Sequence, residues 1–99
     1  MMEIDRVIHE PARLLLMIYL YSVKEADFKF LKIQTGLTQG NLSSHLRKLE
    51  HAGYIHSEKK FRDRRPVTLL RISERGRQVF EEYIQNMHLF FSDLKRMIR

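Results

Sequence analysis

The amino-acid sequence predicts a mainly helical α+β fold in one domain, residues 1–99, and three observations carry that prediction. Residues 11–52 read as three successive helices, with apolar residues at helical spacing and cap residues at the joints. Residues 54–72 hold two short β-prone runs joined by a polar, basic connection. The last quarter of the chain repeats apolar residues every three and four positions, as a single long helix does.

The first helix starts at Pro11, because a first-turn proline gives up only an N–H that has no helical partner. The run from Leu14 to Tyr21 is apolar almost all round, so this helix is expected to be buried on more than one side. In so small a domain a second subunit is one surface that could bury it. Asp27 is placed to cap a short second helix over residues 28–35, with Phe28 and Leu31 inward and Gly36 ending it. Thr38 caps a third helix that runs to Ala52 and closes at Gly53. Leu37 before that cap and Leu42 after it form a hydrophobic staple.

Leu42, Leu46 and Leu49 line the inward face of the third helix. At about 100° per residue, Gly40, Ser43, Ser44, Arg47 and His51 fall outward, with Asn41 and Lys48 on the flank. His45 lies near the apolar side and is assigned to helix packing. Two helices joined by a tight turn, the second apolar inside and polar-basic outside, make a helix-turn-helix over residues 28–52.

Residues 54–72 are read as a two-stranded hairpin, with Arg62-Asp63-Arg64-Arg65 as its connection. Pro66 at the start of the return strand suits an edge position and not a sheet centre. Ser73 caps a final helix over residues 74–98, roughly 37 Å long. Phe80, Tyr83, Met87, Phe90, Leu94 and Met97 form a heptad seam along it, and Ile84, Phe91 and Ile98 a second row beside the first. Two apolar rows exceed what one small domain can cover. A homodimer is therefore expected, with Leu16, Tyr19 and Leu20 of the first helix and Phe80, Tyr83, Met87, Phe90, Phe91, Leu94 and Met97 of the last in its interface.

Net charge is +6, and its placement is uneven. Residues 43–75 hold nine basic and four acidic side chains, so nearly all of the excess lies there. A basic middle between near-neutral ends suggests a face for a polyanion, with a solvated charged surface as the alternative. Absence of cysteine excludes disulfides, thiolate metal sites and cysteine nucleophiles. The histidines, 9, 45, 51, 56 and 88, show no pair four apart that would suit a metal on a helix. Neither a Gly-rich phosphate loop nor a Ser-His-Asp framework is present, so no metal, no cofactor and no enzymatic activity are expected. The start, Met1-Met2-Glu3-Ile4-Asp5, lacks the basic character of a secretory signal, and the longest apolar run, eight residues, is far short of a membrane span. A soluble cytoplasmic, nucleoid-associated protein with no membrane partner is the expectation.

Thr35-Gly36-Leu37-Thr38, Gly40-Asn41-Leu42-Ser43-x-His45-Leu46 and Leu49-Glu50-x-Ala52-Gly53-Tyr54 occur in combination. They are followed by Lys59-Lys60-Phe61-Arg62-Asp63-Arg64-Arg65-Pro66 and Leu70-Arg71-Ile72-Ser73-Glu74-Arg75-Gly76-Arg77. Over roughly residues 10–85 this pattern resembles the small winged helix-turn-helix transcriptional regulators of archaea and bacteria, of the MarR and ArsR type. The resemblance implies dimers on operator DNA, with the third helix in the major groove and the hairpin, or wing, beside it. Asp63 departs from it, standing where glycine is expected.

On that reading Gln39 and Asn41 suit adenine edges, and Arg47 suits guanine or a phosphate. Ser43 and Ser44 can contact either, Lys48 flanks them, and Gly40 allows close approach. On the wing, Arg62, Arg64 and Arg65 are placed for phosphates or a narrow minor groove, and Lys59 and Lys60 for the backbone. The function expected is sequence-specific binding of double-stranded DNA by a homodimer that regulates transcription. A protein or RNA adaptor and a non-specific DNA-packaging protein are the alternatives. A small-molecule effector, for which the apolar groove between the first and last helices has room, stays open but is not indicated by any residue.

Overall fold

The computed structural model describes residues 3–98; Met1 and Met2, part of the N-terminal reading above, lie outside the described residues. The elements are α1 (Pro11–Ser22), β1 (Ala26–Asp27), α2 (Phe28–Thr35), α3 (Gln39–His51), β2 (Ile55–Arg62), β3 (Arg65–Ile72) and α4 (Glu74–Met97). Together they make a winged helix: a helical body, a β-hairpin and a long C-terminal helix. Helix boundaries fall within a residue or two of the sequence expectation. The sheet, expected to have two strands, has three, in the order β1-β3-β2 and antiparallel throughout. A two-residue strand such as β1 is too short to show alternation, and only its pairing of Ala26 with Leu70 and Asp27 with Leu69 defines it.

Caps set the helix starts. Glu10 accepts from the N–H groups of Ala12 and Arg13 ahead of α1, with Pro11 at the first helical position. The Asp27 carboxylate takes the Phe30 N–H at 2.7 Å, the Thr38 hydroxyl the Asn41 N–H at 3.2 Å, and the Ser73 hydroxyl the Gly76 N–H at 2.9 Å. Each satisfies an N–H that the first turn leaves without a helical acceptor. Helix α3 ends in a Schellman motif: Gly53, at φ 82, bonds Glu50 O, and the Tyr54 N–H reaches Leu49 O.

The root of the wing is locked to α4. Ser73 donates from its N–H to Tyr54 O and from its hydroxyl to Gly53 O. A Cβ on Gly76 would lie 2.0 Å from Tyr54 O, so only glycine permits this approach. Tyr54 also donates its phenol to Asp5, and burial, with that bond in support, pushes the phenol up to about 12.

One core joins all layers: Leu16, Met17 and Leu20 of α1, Leu31 of α2, Leu42, Leu46 and Leu49 of α3, Ile55 and Leu70 of the sheet, Phe80 and Tyr83 of α4. This corrects part of the expected dimer surface. Leu16 and Leu20 are 0% exposed and Phe80 only 2%, and Tyr83 is buried beside them. The chain's own α2, α3 and β3 cover the face of α1 that carries Leu16, Met17 and Leu20, while Ile18 stays exposed. Tyr19 and Met87 are half-buried against the same core. The heptad seam of α4 therefore divides. Its first half is interior, whereas Phe90, Phe91, Leu94 and Met97, with Ile84, Leu89 and Ile98, are exposed. At 24 residues, about 36 Å, α4 outruns the body, and the molecule measures 59 × 26 × 20 Å. Among the described residues no helix is long and apolar enough to cross a membrane.

Candidate nucleic-acid interface

Buried Leu42, Leu46 and Leu49 fix the rotation of α3 about its axis. Gln39, Gly40, Asn41, Arg47 and Lys48 are thereby exposed, and Ser43 and Ser44 half-buried at the margin. A Cβ on Gly40 would meet nothing within 4 Å, so packing within the chain does not require glycine there. His45 is held on the inner margin: its Nδ1 is 3.1 Å from Arg13 Nη1 and 3.4 Å from Glu10 Oε2. It ties α3 to the start of α1, the packing role its position in the sequence suggested. Burial works to raise the pKa of Glu10. The N–H groups of Arg13 and Ala12 and the charges of His45 and Arg13 together outweigh it and hold the carboxyl below its ordinary value.

Next to α3 stands the wing, joined to it where the Ser57 hydroxyl donates to Glu50 Oε2 at 2.6 Å. Arg62 pairs with Arg65, leaving Asp63 and Arg64 as a two-residue turn. Their φ values, 53 and 65, are those of a type I′ turn, whose twist matches the flanking strands. Aspartate tolerates this region; for arginine it costs about 1 kcal/mol. In a two-residue hairpin the pair beside the turn carries the hydrogen bonds, so the Phe61–Pro66 pair does not, and Pro66 needs no N–H toward β2. Strand β1 stops at Leu69, which leaves Pro66 on an edge even though β3 is the central strand.

The predicted wing cations do not behave alike. Arg62 is drawn back onto Asp27, with Nη1 3.1 Å from Oδ2, and braces the wing against the start of α2. Lys60 lies 3.8 Å from Glu58 in an exposed pair. Lys59, Arg64 and Arg65 on the wing, with Arg47 and Lys48 on α3, are exposed and take part in no ion pair among the described residues.

Two further cations flank the predicted set. Arg6 shares a shallow depression with Arg13, Ser44, Arg47, Lys48 and His51. It is brought there by a turn in which Asp5 Oδ1 accepts from the N–H groups of Val7 and Ile8. Lys29, in the first turn of α2, lines a groove with Arg62, Arg65 and Pro66. Both lie outside the basic stretch counted from the sequence. Asp5 and Asp27, each able to fold the chain back on itself, were the available signals.

Comparison with known proteins agrees with this architecture. A family model described as a winged helix DNA-binding domain matches residues 12–91. An uncharacterized protein from Methanocaldococcus jannaschii is 33% identical over 79 residues, spanning 80% of this chain and 86% of its own length. Among solved structures, a transcriptional regulator homologue from Pyrococcus horikoshii superposes with a TM-score of 0.86 at 30% identity, over 91% of this chain and 89% of that one. A protein described as a transcriptional regulator of the MarR family, from Enterococcus faecalis, superposes at 0.78 with 21% identity, over 100% and 97% of the two chains.

Proposed function

This chain belongs to the winged helix DNA-binding domain family, and from that premise we propose that it regulates transcription by binding duplex DNA sequence-specifically as a homodimer. The family is one of binding domains, not enzymes. The observation that carries the reading is the clustering, on two adjoining elements, of exposed cations that take part in no ion pair among the described residues: Arg47 and Lys48 on α3, and Lys59, Arg64 and Arg65 on the wing. A cation without a protein partner keeps its full capacity for phosphate, and phosphate attraction supplies much of duplex affinity.

On this reading α3 enters the major groove with Gln39, Gly40 and Asn41 leading. Gln39 and Asn41 read base edges, Ser43 and Ser44 touch base or backbone, and Arg47 and Lys48 hold base or phosphate. The wing follows the backbone or enters the minor groove through Arg64 and Arg65, with Lys59 and Lys60 along the phosphates. Arg62 acts through its brace to Asp27, setting the angle of the wing. Tyr19, Met87, Phe90, Phe91, Leu94 and Met97 form the surface offered to a second copy. Likeness to the Pyrococcus horikoshii protein, a transcriptional regulator homologue, supports the regulatory part.

Selection of bound duplexes from a random library at near-physiological salt, followed by sequencing, tests this. A two-fold symmetric motif is expected, its half-sites about one helical turn, roughly 34 Å, apart. A bound pool with no enriched sequence would leave the chain a packaging protein or an adaptor.

A further inference from the structure

Phe61 is the most exposed aromatic side chain of the described residues, at 80%, and it stands within the most basic segment of the chain. Folding does not explain it. It is absent from the core, and its cross-strand partner, Pro66, is exposed as well. An apolar pair left in water between Lys59, Arg64 and Arg65 has a surrounding charge that selects a polyanion as its neighbour.

Pleating says which way it faces. Side chains two apart in a strand share a face, so Phe61 lies with Lys59 and Ser57. Ser57 is the residue that bonds Glu50 of α3, so this face of the hairpin is turned to the side that carries α3. Phe61 also sits one residue pair behind the Arg62–Arg65 pair at the turn, about 3.4 Å back along the strand. At that depth it reaches the wall of a groove that the turn has entered, and not its floor.

Resting on the DNA-binding reading above, we propose that Phe61, backed by Pro66, is an apolar DNA contact of the wing, packed against the deoxyribose faces that line the groove. The Arg64 and Arg65 charges hold the wing on the backbone. Phe61 adds a contact that releases no counterions and therefore does not depend on salt. It discriminates by groove width, because sugars close on the ring only where the groove is narrow.

The test is duplex affinity measured by fluorescence anisotropy over a range of salt concentrations, for the wild type and for Phe61→Thr, Phe61→Leu and Arg65→Ala. Threonine keeps strand propensity while removing the ring. Phe61→Thr is expected to weaken binding about ten-fold at every salt concentration, with the slope of log affinity against log salt unchanged. Phe61→Leu recovers part of the loss. Arg65→Ala instead flattens the slope by about 0.9 for each phosphate contact removed. Wild-type affinity in Phe61→Thr, or a loss with a changed slope, overturns the proposal while leaving the DNA-binding reading in place. Failure of the wild type to bind duplex at low salt overturns both. Melting temperatures are expected to match throughout, since an exposed side chain contributes little to stability; a Phe61→Leu protein that folds and binds no better than Phe61→Thr also counts against an apolar contact.

Discussion

Arg64 stands at φ 65, where an L side chain costs about 1 kcal/mol and glycine costs nothing. Keeping a cation there sacrifices turn stability for charge at the tip of the wing. Arg64→Gly should therefore raise thermal stability, by up to about 1 kcal/mol, and lower duplex affinity, as calorimetry and a binding titration on the same variant will show. A variant that is both more stable and equally tight would remove Arg64 from the interface. Gly40 makes the same argument from the other side. It occupies the first turn of α3 with open space around it, and alanine is the better helix former by about 0.5–1 kcal/mol. Gly40→Ala is expected to stabilise the fold and weaken DNA binding, because the added methyl stands where the helix would meet the groove. Unchanged affinity would mean that nothing approaches α3 at that point. At this scale the sequence was most legible where chemistry is local. Asp27, Thr38 and Ser73 were identified as caps because a cap and its N–H lie within three residues. The bonds from Arg62 to Asp27 and from Tyr54 to Asp5 join residues 35 and 49 positions apart, and no spacing rule reveals them.

Among elements, the junction of α1 with α3 is the one whose strength should depend on pH. Glu10 caps α1 and also faces His45 of α3, and its pKa in the fold lies below the ordinary 4.5. A depressed carboxylate contributes stability that is complete above its unfolded pKa and is lost as pH falls through the folded one. The wild type should therefore exceed Glu10→Gln in melting temperature near neutrality, and the gap should close as pH drops below about 4.5. A gap independent of pH would assign Glu10 a role in shape and not in charge. The same junction shows why the helices were easier to read than the sheet. Apolar spacing, caps and terminal glycines mark α2 and α3 within their own residues. Strand β1 exists only because Ala26 and Asp27 meet β3 more than forty residues on. The basic wing was legible as charge, yet the division of labour within it was not: Arg62 braces and Arg64 projects because the turn has two residues, a matter of register.

For the whole molecule, one helix serves two environments. The heptad seam of α4 is continuous in sequence, but its environment changes near Met87, from the chain's own core to open surface. Periodicity records that a face is apolar and is silent about what covers it, which is why Phe80 and Tyr83 read like Phe90 and Leu94. The exposed half carries Phe90 and Phe91 with ring centroids 5.7 Å apart, an aromatic pair that offers a large apolar area on the part of α4 outside the core. If a second copy covers it, charge placed there must break the pair without touching the fold, since neither Phe91 nor Leu94 belongs to the core. Phe91→Glu combined with Leu94→Glu should sediment as a 12.0 kDa species at concentrations where the wild type sediments at twice that mass, with its melting curve independent of protein concentration. Its affinity for a two-fold symmetric site should fall to that of a half-site, because the two recognition helices no longer bind as a linked pair. A wild type that is itself monomeric at micromolar concentration would remove the reason to expect a symmetric operator, and the exposed apolar row of α4 would then need a different partner.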